Sequence, residues 1–430
     1  MRFYSTNDAL NRVGFKDALF QGLAPDGGLY MPEFIPDLGE DLFKTDMTYP
    51  ELAVAMIHPF SSADLPKNKL ADICAAAFDF PIPIVSLNDH DAVLELFHGP
   101  TLAFKDFAAR LIARTMAHFL ENESKEITIL VATSGDTGSA VANGFFNKDG
   151  IHVILLYPSK RVSAIQEKQL TTLGGNISAL EIDGSFDDCQ RMVKAAFCDE
   201  DLCNRRPLSS ANSINIARLL PQSVYYAWAW KLCGANEPII FSVPSGNFGN
   251  LTGGLLAKRM GVAIEKFIAA TNANDVFPKY LNSGNVQEQY AVATISNAMD
   301  VGVPSNLERI KNLYNQDVAQ IKNDVSSWGF SDDDTQQAIQ TTKTESGYLV
   351  DPHTAVGILG MQKYRRENNT ITKGVVLSTA HPGKFIDVVE PIVGEKILFP
   401  NQLQSAMAKE KCTIFMSNQY SDLKEFLLAS

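Results

Sequence analysis

The chain has 430 residues, of which 45% are hydrophobic and 20% are charged. This composition is typical of a soluble globular protein, and the length predicts two or three structural units. The 37 lysine and arginine residues and the 49 aspartate and glutamate residues give a net charge of −12, which argues against nucleic-acid binding because that function needs a basic surface.

The first residues favour a cytoplasmic location, and the spacing of cysteines and histidines argues against a metal site. The first residues contain no apolar core of signal-peptide length, and no stretch approaches the length of a membrane span. The six cysteines show no CxxC spacing, and the seven histidines show no HExxH-type pairing. We therefore expect no membrane partner, no disulfide framework and no bound metal ion.

The first ninety or so residues are mostly helical by pattern, and a helix with apolar periodicity follows them. Thr101 is predicted to be the N-cap of that helix. Lys105 then lies in its first turns beside Phe104 and Phe107, where the helix dipole and burial both lower the pKa of an ammonium group. A lysine with a lowered pKa can form an imine. The ordinary alternative is a surface lysine or one paired with Asp106.

From residue 127 onward, short strand-like runs alternate with amphipathic helical runs. This alternation predicts a parallel sheet with helices on both faces. The predicted strands are 127–131, 151–156, 177–182, 239–243, 267–270 and 375–377. The predicted helices are 139–146, 164–173, 186–197, 216–232 and 250–260, and the stretch 298–348 is mostly helical by pattern.

Two of the predicted strands end in polar, glycine-rich turns, at residues 134–138 and 245–250. Ligands of open α/β sheets lie beyond the carboxyl ends of the strands, so both turns are expected to face one crevice. In the second turn, glycines allow successive backbone N–H groups to converge on an anion at a helix N-terminus. No lysine follows it as in a Walker A loop. The alternative is a tight connecting loop without a ligand.

An imine-forming lysine and a phosphate-binding turn together predict a pyridoxal phosphate enzyme. This cofactor needs an amine that holds its aldehyde as a Schiff base, and it needs N–H donors for its phosphate. Lys105 is the candidate amine and the candidate catalytic residue. The candidate phosphate-binding residues are Gly246, Asn247, Phe248, Gly249 and Asn250.

Four segments resemble the threonine synthase family and occur in that family's order. They are FHGPTLAFKDF at 97–107, ATSGDTG at 132–138, SGNFGN at 245–250 and LSTAHPGKF at 377–385. The resemblance extends from residue 25 to residue 385. It implies the α/β fold of the tryptophan-synthase-β-like (fold type II) enzymes, with two open parallel-type α/β domains and an additional, mostly helical N-terminal unit. It also implies conversion of O-phospho-L-homoserine and water to L-threonine and phosphate.

We divide the chain into five parts on this basis. An N-terminal unit is expected at 1–92, a lysine-bearing part of the large cofactor-binding domain at 93–130, and a small α/β domain at 131–234. The rest of the large domain is expected at 235–395, and a C-terminal tail at 396–430. A monomer or a homodimer is expected, because no feature of the sequence decides between them.

The turn at 133–138 resembles the segment that holds the substrate carboxylate in related pyridoxal phosphate enzymes. Hydroxyl and backbone N–H groups at a helix N-terminus can bind a small anion, and they would come from Thr133, Ser134, Gly135 and Thr137. Asp136 does not fit this receptor, because two carboxylates repel each other. In the wider family an asparagine here bonds the 3′ oxygen of the cofactor. We therefore predict that Asp136 contacts the cofactor, with helix capping as the alternative.

Thr379 resembles the hydroxyl that contacts the pyridine nitrogen of the cofactor in this fold. A hydroxyl there moderates the electron sink, whereas an aspartate would hold the ring protonated; an ordinary strand threonine is the alternative. The substrate phosphate needs a cation, and Arg218 is the first candidate because a guanidinium fork suits phosphate. Its ordinary explanation is a salt bridge to a nearby acid. Lys384 is the second candidate, and Ser185 and His353 are weaker ones.

Two other enzymes fit the same scaffold. One is a phospho-lyase that releases phosphate without completing the hydration, and the other is a serine or threonine dehydratase. A cation for the substrate phosphate disfavours the dehydratase but not the phospho-lyase. A non-catalytic binding protein is disfavoured by the presence of Lys105.

Overall fold

A small antiparallel sheet and four helices open the chain in the computed structural model, which describes every residue except 122, 124, 288 and 430. The elements are β1 (Phe3–Ser5), β2 (Arg12–Val13), α1 (Phe15–Gln21), β3 (Tyr30–Pro32), α2 (Glu40–Phe43), α3 (Tyr49–Ser61) and α4 (Lys67–Ala77). The Glu51 carboxylate accepts the backbone N–H of Thr48 at 2.8 Å and so stabilises the start of α3. Helices dominate this region, as its pattern predicts.

The lysine-bearing helix begins later than predicted. Strands β4 (Ile84–Ser86) and β5 (Asp91–Glu95) precede α5 (Lys105–Leu120). The prediction that Thr101 caps this helix is wrong: its backbone N–H and its hydroxyl donate to the Asp106 carboxylate at 2.8 and 2.6 Å. Leu102 then adopts a left-handed conformation, with φ of 59°. This turn delays the helix and makes Lys105 its first residue.

A five-stranded parallel sheet takes up the middle of the chain. Its elements are β6 (Ile127–Ala132), α6 (Asp136–Phe145), β7 (Ile151–Pro158), α7 (Ala164–Thr171), β8 (Ile177–Asp183), α8 (Phe186–Phe197), α9 (Glu200–Arg205) and β9 (Leu208–Ser209). All six residues of β6 are buried, as expected for a strand covered on both faces. Helix α8 has the predicted bounds because Ser185 and Asp188 form a capping box at its start.

A six-stranded sheet forms from β4, β5 and the second half of the chain. The further elements are α10 (Leu220–Leu232), β10 (Ile239–Pro244), α11 (Gly249–Arg259), β11 (Ile264–Thr271), α12 (Val276–Ser283), α13 (Leu307–Leu313), α14 (Val318–Asp324), β12 (Val325–Gly329), α15 (Asp332–Ser346), α16 (Pro352–Asn368), β13 (Gly374–Ser378) and α17 (Ile386–Val393). Short 3-10 turns lie at Ile216–Arg218, Asn297–Met299 and Pro382–Lys384. The predicted helix 216–232 is therefore split, and the helical stretch 298–348 also contains β12.

The last segment of the chain returns to the five-stranded sheet. It contains α18 (Asn401–Met407), β14 (Ile414–Ser417) and α19 (Tyr420–Ala429). Leu403 of α18 is buried against Leu102 and Ile165. Strand β14 pairs in parallel with β8, so the residues expected to form a tail complete the edge of the sheet.

The order of the strands brings the predicted site together. The six-stranded sheet has the order β12-β11-β10-β13-β5-β4 and the five-stranded sheet has the order β14-β8-β7-β6-β9. Strands β10 and β13 are parallel neighbours, so the turn after β10 and the residues after β13 lie side by side. The predicted architecture of parallel α/β sheets with a helical N-terminal region is confirmed, whereas the five-part division of the chain stays a prediction. Among the described residues, no helix has the length and apolarity needed to cross a bilayer.

Candidate active site

Lys105 lies where the two sheets meet. Its side chain is 13% exposed, and its Nζ lies 3.8 Å from Oδ2 of Asp136 and 4.9 Å from the centre of the Phe104 ring. Burial lowers the pKa of Lys105, and the positive charges of Lys384 and Arg218 add to this effect, although Asp136 opposes it. The neutral amine is therefore easier to reach than in an ordinary lysine, as a nucleophile or a base requires.

Asp136 is the first residue of α6, and it serves as the counter-ion of two lysines. Its Oδ1 accepts a hydrogen bond from Nζ of Lys384 at 2.7 Å and from Nε2 of Gln166 at 3.1 Å. Burial opposes ionisation of Asp136, but the ammonium groups of Lys384 and Lys105 outweigh burial and lower the pKa of the carboxyl. Lys384 also donates to the Thr101 carbonyl oxygen at 2.9 Å, so its charge is already satisfied within the protein.

The turn after β10 is held in shape by its own side chains. Ser245 Oγ donates to Asn250 Oδ1 at 2.8 Å, and Asn250 Nδ2 donates to the Pro244 carbonyl oxygen at 2.8 Å. Phe248 has a left-handed backbone conformation, with φ of 57°, and immediately precedes Gly249 at the start of α11. The bends at these residues leave backbone N–H groups at a helix N-terminus, where an anion binds favourably.

Gly246 and Asn247 fix the same turn against its neighbours. A Cβ atom on Gly246 would lie 2.6 Å from Cα of Met299, so only glycine fits there. Asn247 donates to Ser213 Oγ at 2.5 Å and accepts the backbone N–H of Ser305 at 2.6 Å. The asparagine side chains therefore brace the turn, and the groups left for a phosphate are those of the backbone.

Thr379 follows β13 directly and lies beside the lysine-bearing segment. Its carbonyl oxygen accepts the backbone N–H of Phe104 at 2.9 Å, and Ala103 forms an antiparallel bridge with Ala380. These bonds bring Thr379 next to Lys105, although the two residues are far apart in the sequence.

Arg218 ends a 3-10 turn, and its guanidinium is buried without an ion-pair partner among the described residues. The residue is 3% exposed, its Nη1 donates to the Ala211 carbonyl oxygen at 2.9 Å, and its Nε has no hydrogen-bond partner in the described part of the chain. Burial lowers its pKa to about 10, which Asp106 opposes. The salt bridge that would ordinarily explain a buried arginine is not present in these residues, so one face of the guanidinium is left for a ligand.

In the turn after β6, one hydroxyl group is hydrogen-bonded within the protein and two others are accessible. Thr133 Oγ1 accepts the backbone N–H groups of Gly135 and Gly138 at 3.0 and 2.9 Å, so this hydroxyl holds the turn. Gly135 has φ of 144°, and a Cβ atom there would lie 2.6 Å from the Gln166 side chain. Ser134 is exposed and Thr137 is partly exposed, which leaves their hydroxyls accessible to a substrate.

The two weaker candidates for the substrate phosphate have other roles. Ser185 Oγ accepts the backbone N–H of Asp188 and caps α8. His353 is 3% exposed, and both of its ring nitrogens are occupied, by Asp351 at 2.6 Å and by the backbone N–H of Ala298 at 3.1 Å.

Three amide side chains carry a buried oxygen without a hydrogen-bond partner among the described residues: Asn212, Asn297 and Gln169. A buried polar atom left unpaired costs about 1–3 kcal/mol, so such atoms suggest a place where ligand atoms fit. Asn212 belongs to the run NSIN at 212–215, shortly before Arg218. Asn297 and Gln169 gave no signal, because an amide in a loop or on a helix usually faces water.

These groups suit pyridoxal phosphate and a second phosphate. The amine of Lys105 has a lowered pKa, Gly246 has no room for a side chain, and Arg218 has an unpartnered Nε. A lysine amine can hold the aldehyde, a tight turn of N–H groups can bind the cofactor phosphate, and a guanidinium with an unpartnered Nε can bind a second phosphate.

The chain matches three known protein families along its length. The family described as pyridoxal-phosphate dependent enzyme matches residues 83–380. The family of the threonine synthase N terminus matches residues 2–78, and that of the threonine synthase C-terminal region matches residues 354–427.

Individual relatives and solved structures agree with these families. Threonine synthase from Serratia marcescens is 40% identical over 100% of this chain and 99% of its own length, and the Escherichia coli enzyme is 42% identical over 94% of each chain. The crystal structure of pyridoxal phosphate-bound threonine synthase from Brucella melitensis superposes with a TM-score of 0.93 and 36% identity, covering 100% of this chain and 99% of the other. The chain belongs to the threonine synthase family of pyridoxal phosphate-dependent enzymes.

Proposed function

We propose that this site converts O-phospho-L-homoserine and water to L-threonine and phosphate, with Lys105 as its catalytic amine. The observation that carries the assignment of Lys105 is its environment: a largely buried Nζ with a lowered pKa, 3.8 Å from Asp136, at the meeting point of the two sheets. A proton-transferring amine needs to be neutral part of the time, and this environment favours the neutral form.

The residues around Lys105 have distinct proposed roles in holding pyridoxal phosphate. The backbone N–H groups of 246–250 bind its phosphate, Thr379 contacts the ring nitrogen, and the amine of Lys105 holds the aldehyde. Asp136 lies at the position whose side chain bonds the ring oxygen in the wider family, with Lys384 as its counter-ion. When bound, the cofactor supplies the electron sink that lets carbon–hydrogen bonds of the substrate break.

The substrate is held at its two anionic ends. Arg218 binds the phosphate through the face of its guanidinium that has no protein partner among the described residues, and Lys384 is less suited because Asp136 and Thr101 already occupy its ammonium. The carboxylate binds at the start of α6, to the hydroxyl and backbone N–H groups of Ser134 and Thr137. Thr133 and Gly135 shape this turn, because the Gly135 N–H donates to the Thr133 hydroxyl and the Thr133 N–H donates to the Leu156 carbonyl. The Thr133 hydroxyl acts through the shape of the turn.

Lys105 carries the protons in this scheme. Its free Nζ takes one proton from the α carbon and one from the β carbon as the bond between the γ carbon and the phosphate oxygen breaks. The γ carbon then receives a proton, water gives its hydroxyl group to the β carbon, and the α carbon is protonated again; the remaining proton leaves with the phosphate. Arg218 holds the departing phosphate, since a charge-assisted bond to an anion strengthens as its charge grows.

The test is a joint measurement of phosphate and threonine after incubation of the holoenzyme with O-phospho-L-homoserine. Equal amounts of the two products support the proposal. Phosphate accompanied by 2-oxobutanoate instead of threonine would identify a phospho-lyase, and absence of phosphate release would refute the assignment. The Lys105→Ala protein with added pyridoxal phosphate is the control for chemistry by the free cofactor.

We also infer that the enzyme acts in the cytoplasm as a monomer or a homodimer, without a nucleic-acid partner. The net charge of −12 supports the last point. Light scattering of the purified holoenzyme gives its oligomeric state, and fractionation of the source cells gives its compartment.

A further inference from the structure

Asp351 is a fully buried acid outside the proposed reaction, and its carboxylate accepts four hydrogen bonds. Oδ2 accepts the backbone N–H of His353 at 3.0 Å and the His353 Nδ1–H at 2.6 Å. Oδ1 accepts the backbone N–H of Thr354 at 3.1 Å and the Thr354 hydroxyl. A helix cap needs only the two backbone bonds, and asparagine provides such a cap as well as aspartate does. The two side-chain bonds therefore indicate that Asp351 has a structural role besides helix capping.

The first side-chain bond leads to the phosphate-binding turn. His353 Nε2 accepts the backbone N–H of Ala298 at 3.1 Å, so the ring proton is on Nδ1, where it is donated to Asp351. Ala298 is the middle residue of the 3-10 turn Asn297–Met299. A Cβ atom on Gly246 would lie 2.6 Å from Cα of Met299, so this 3-10 turn packs directly against Gly246 and forms one wall of the site.

The second side-chain bond leads to the other wall of the site. The Thr354 hydroxyl donates to Asp351, so it accepts the hydroxyl of Ser378 at 2.8 Å. Ser378 is the last residue of β13 and immediately precedes Thr379. The carbonyl of Thr379 in turn accepts the N–H of Phe104, next to Lys105.

We propose that Asp351 is a positioning residue that fixes two walls of the cofactor site relative to each other. One arm runs through His353 to the wall behind Gly246, and the other runs through Thr354 and Ser378 to Thr379. One carboxylate thereby sets the spacing between the groups assigned to the cofactor phosphate and to the ring nitrogen. This inference rests on the proposed roles of 246–250 and Thr379.

Asp351→Asn breaks one of the two arms. The amide keeps one oxygen, which can accept the bonds of one arm and its backbone N–H group, but the NH2 group cannot accept those of the other. Asp317→Asn is the matched control, because Asp317 caps α14 through the backbone N–H groups of Ala319 and Gln320 and has no part in the two arms.

The first readout is the Kd for pyridoxal phosphate, obtained by titrating each apoprotein with the cofactor. We expect Asp351→Asn to weaken binding by about 10- to 100-fold, the usual effect of losing a residue that orients a ligand-binding group, and Asp317→Asn to leave it unchanged. An Asp351→Asn protein with the wild-type Kd would overturn the inference. Wild-type protein that binds the cofactor but releases no phosphate from O-phospho-L-homoserine would instead overturn the proposed function.

Variants of the arms keep the inference testable even where Asp351→Asn fails to fold. Thr354→Val removes the hydroxyl, and Thr354→Ser retains it. We expect the absorbance maximum of the bound cofactor to shift in the valine variant and to return to the wild-type position in the serine variant. His353→Leu should weaken cofactor binding while His353→Gln, which keeps an acceptor, restores part of it. If Thr354→Val and Thr354→Ser gave the same absorbance maximum, and His353→Leu and His353→Gln bound the cofactor equally well, neither arm would position the cofactor site.

Discussion

Nζ of Lys384 lies 2.7 Å from Oδ1 of Asp136, and this contact joins the end of one sheet to the start of a helix in the other. Lys384 follows β13 of the six-stranded sheet, whereas Asp136 begins α6 after the first strand of the five-stranded sheet. Asp136 did not fit a site for the substrate carboxylate, and its presence is explained by Lys105 and Lys384, which need a counter-ion. Because the pair Lys384–Asp136 spans the two sheets, it forms only when the sheets are in this relative position.

Removing this counter-ion should destabilise the protein strongly. Asp136→Asn leaves the ammonium of Lys384, whose side chain is 0% exposed, without a charge partner, and breaking a buried pair costs about 3–5 kcal/mol. Urea unfolding measures the loss. Asp136→Asn combined with Lys384→Met should lose less than Asp136→Asn alone, because only Lys105, the more exposed of the two lysines, is then left without its counter-ion. A double variant whose loss equals the sum of the single losses would show that the two residues are not coupled.

Lys105→Ala should leave a folded protein that holds pyridoxal phosphate only noncovalently and loses nearly all turnover. The amine is needed both to hold the cofactor and to move protons, whereas truncation of one partly exposed side chain changes the fold little. The checks are borohydride reduction followed by mass spectrometry, and the rate of phosphate release. A reducible adduct with wild-type turnover in the variant would remove Lys105 from the mechanism.

Arg218→Ala should chiefly impair use of the phosphorylated substrate. Loss of a charge-assisted contact to phosphate costs about 1.5–3 kcal/mol, which is roughly a ten- to hundred-fold fall in kcat/KM. Arg218→Lys should recover only part of this loss, because an ammonium lacks the two-pronged fork. The Kd for pyridoxal phosphate serves as the control and should stay unchanged. Unaltered kcat/KM in Arg218→Ala would transfer the role to Lys384.

The identity of the group at Thr379 should affect the products more than its size does. Thr379→Ser keeps a hydroxyl and should retain substantial activity. Thr379→Asp would favour a protonated ring, strengthen the electron sink and divert material toward simple elimination. The ratio of threonine to 2-oxobutanoate distinguishes these cases. An aspartate variant as fast and as selective as the wild type would show that Thr379 does not contact the ring nitrogen.

His381 should make the protein less stable in mild acid. Burial, and to a lesser degree the nearby His98, lower the pKa of His381 below its ordinary value of 6.5. Above pH 6.5 both the folded and the unfolded chain hold it neutral; as the pH falls below 6.5 the unfolded chain binds the proton first, so the free energy of unfolding decreases down to the folded pKa.

His381→Asn tests this pH dependence. His381 Nδ1 accepts the backbone N–H of Gly383 at 2.9 Å, and an asparagine oxygen can accept the same bond without titrating. Calorimetric Tm values between about pH 7 and pH 5 should fall less steeply for the variant than for the wild type. Parallel curves would assign the acid sensitivity to other groups.

Local signals predicted much of the fold correctly. Helix α8 was predicted to the residue because Ser185 opens it with a capping box. The start of α5 was predicted wrongly, because the Thr101 hydroxyl bonds the Asp106 side chain instead of the helix backbone, a choice that depends on packing. Strand β14 was missed because it is short and its pairing partner, β8, lies far away in the sequence.

The candidate site was predicted where residues cluster in motifs. Lys105, the 245–250 turn and Thr379 stand in such motifs, and the structure brings their segments together. The pairing of Asp136 with Lys384 could not be read from the sequence, because it depends on how two sheets approach each other. Asn297 was missed for a related reason: an amide in a short 3-10 turn becomes notable only when burial leaves its oxygen unpaired.

The placement of β14 changes which strand forms the open edge of the five-stranded sheet. Without this strand, the free edge of the sheet would be β8, whose seven residues Ile177–Asp183 are mostly apolar, and a long open edge is a template for pairing with another chain. Strand β14 covers that edge with only four residues, and Lys411 lies just before it, bonded to Glu167 and Glu181 at 2.6 Å. The new edge is still apolar, because Ile414 and Phe415 are 46% and 64% exposed, so the last residues of the chain shorten the open edge from seven residues to four without changing its apolar character.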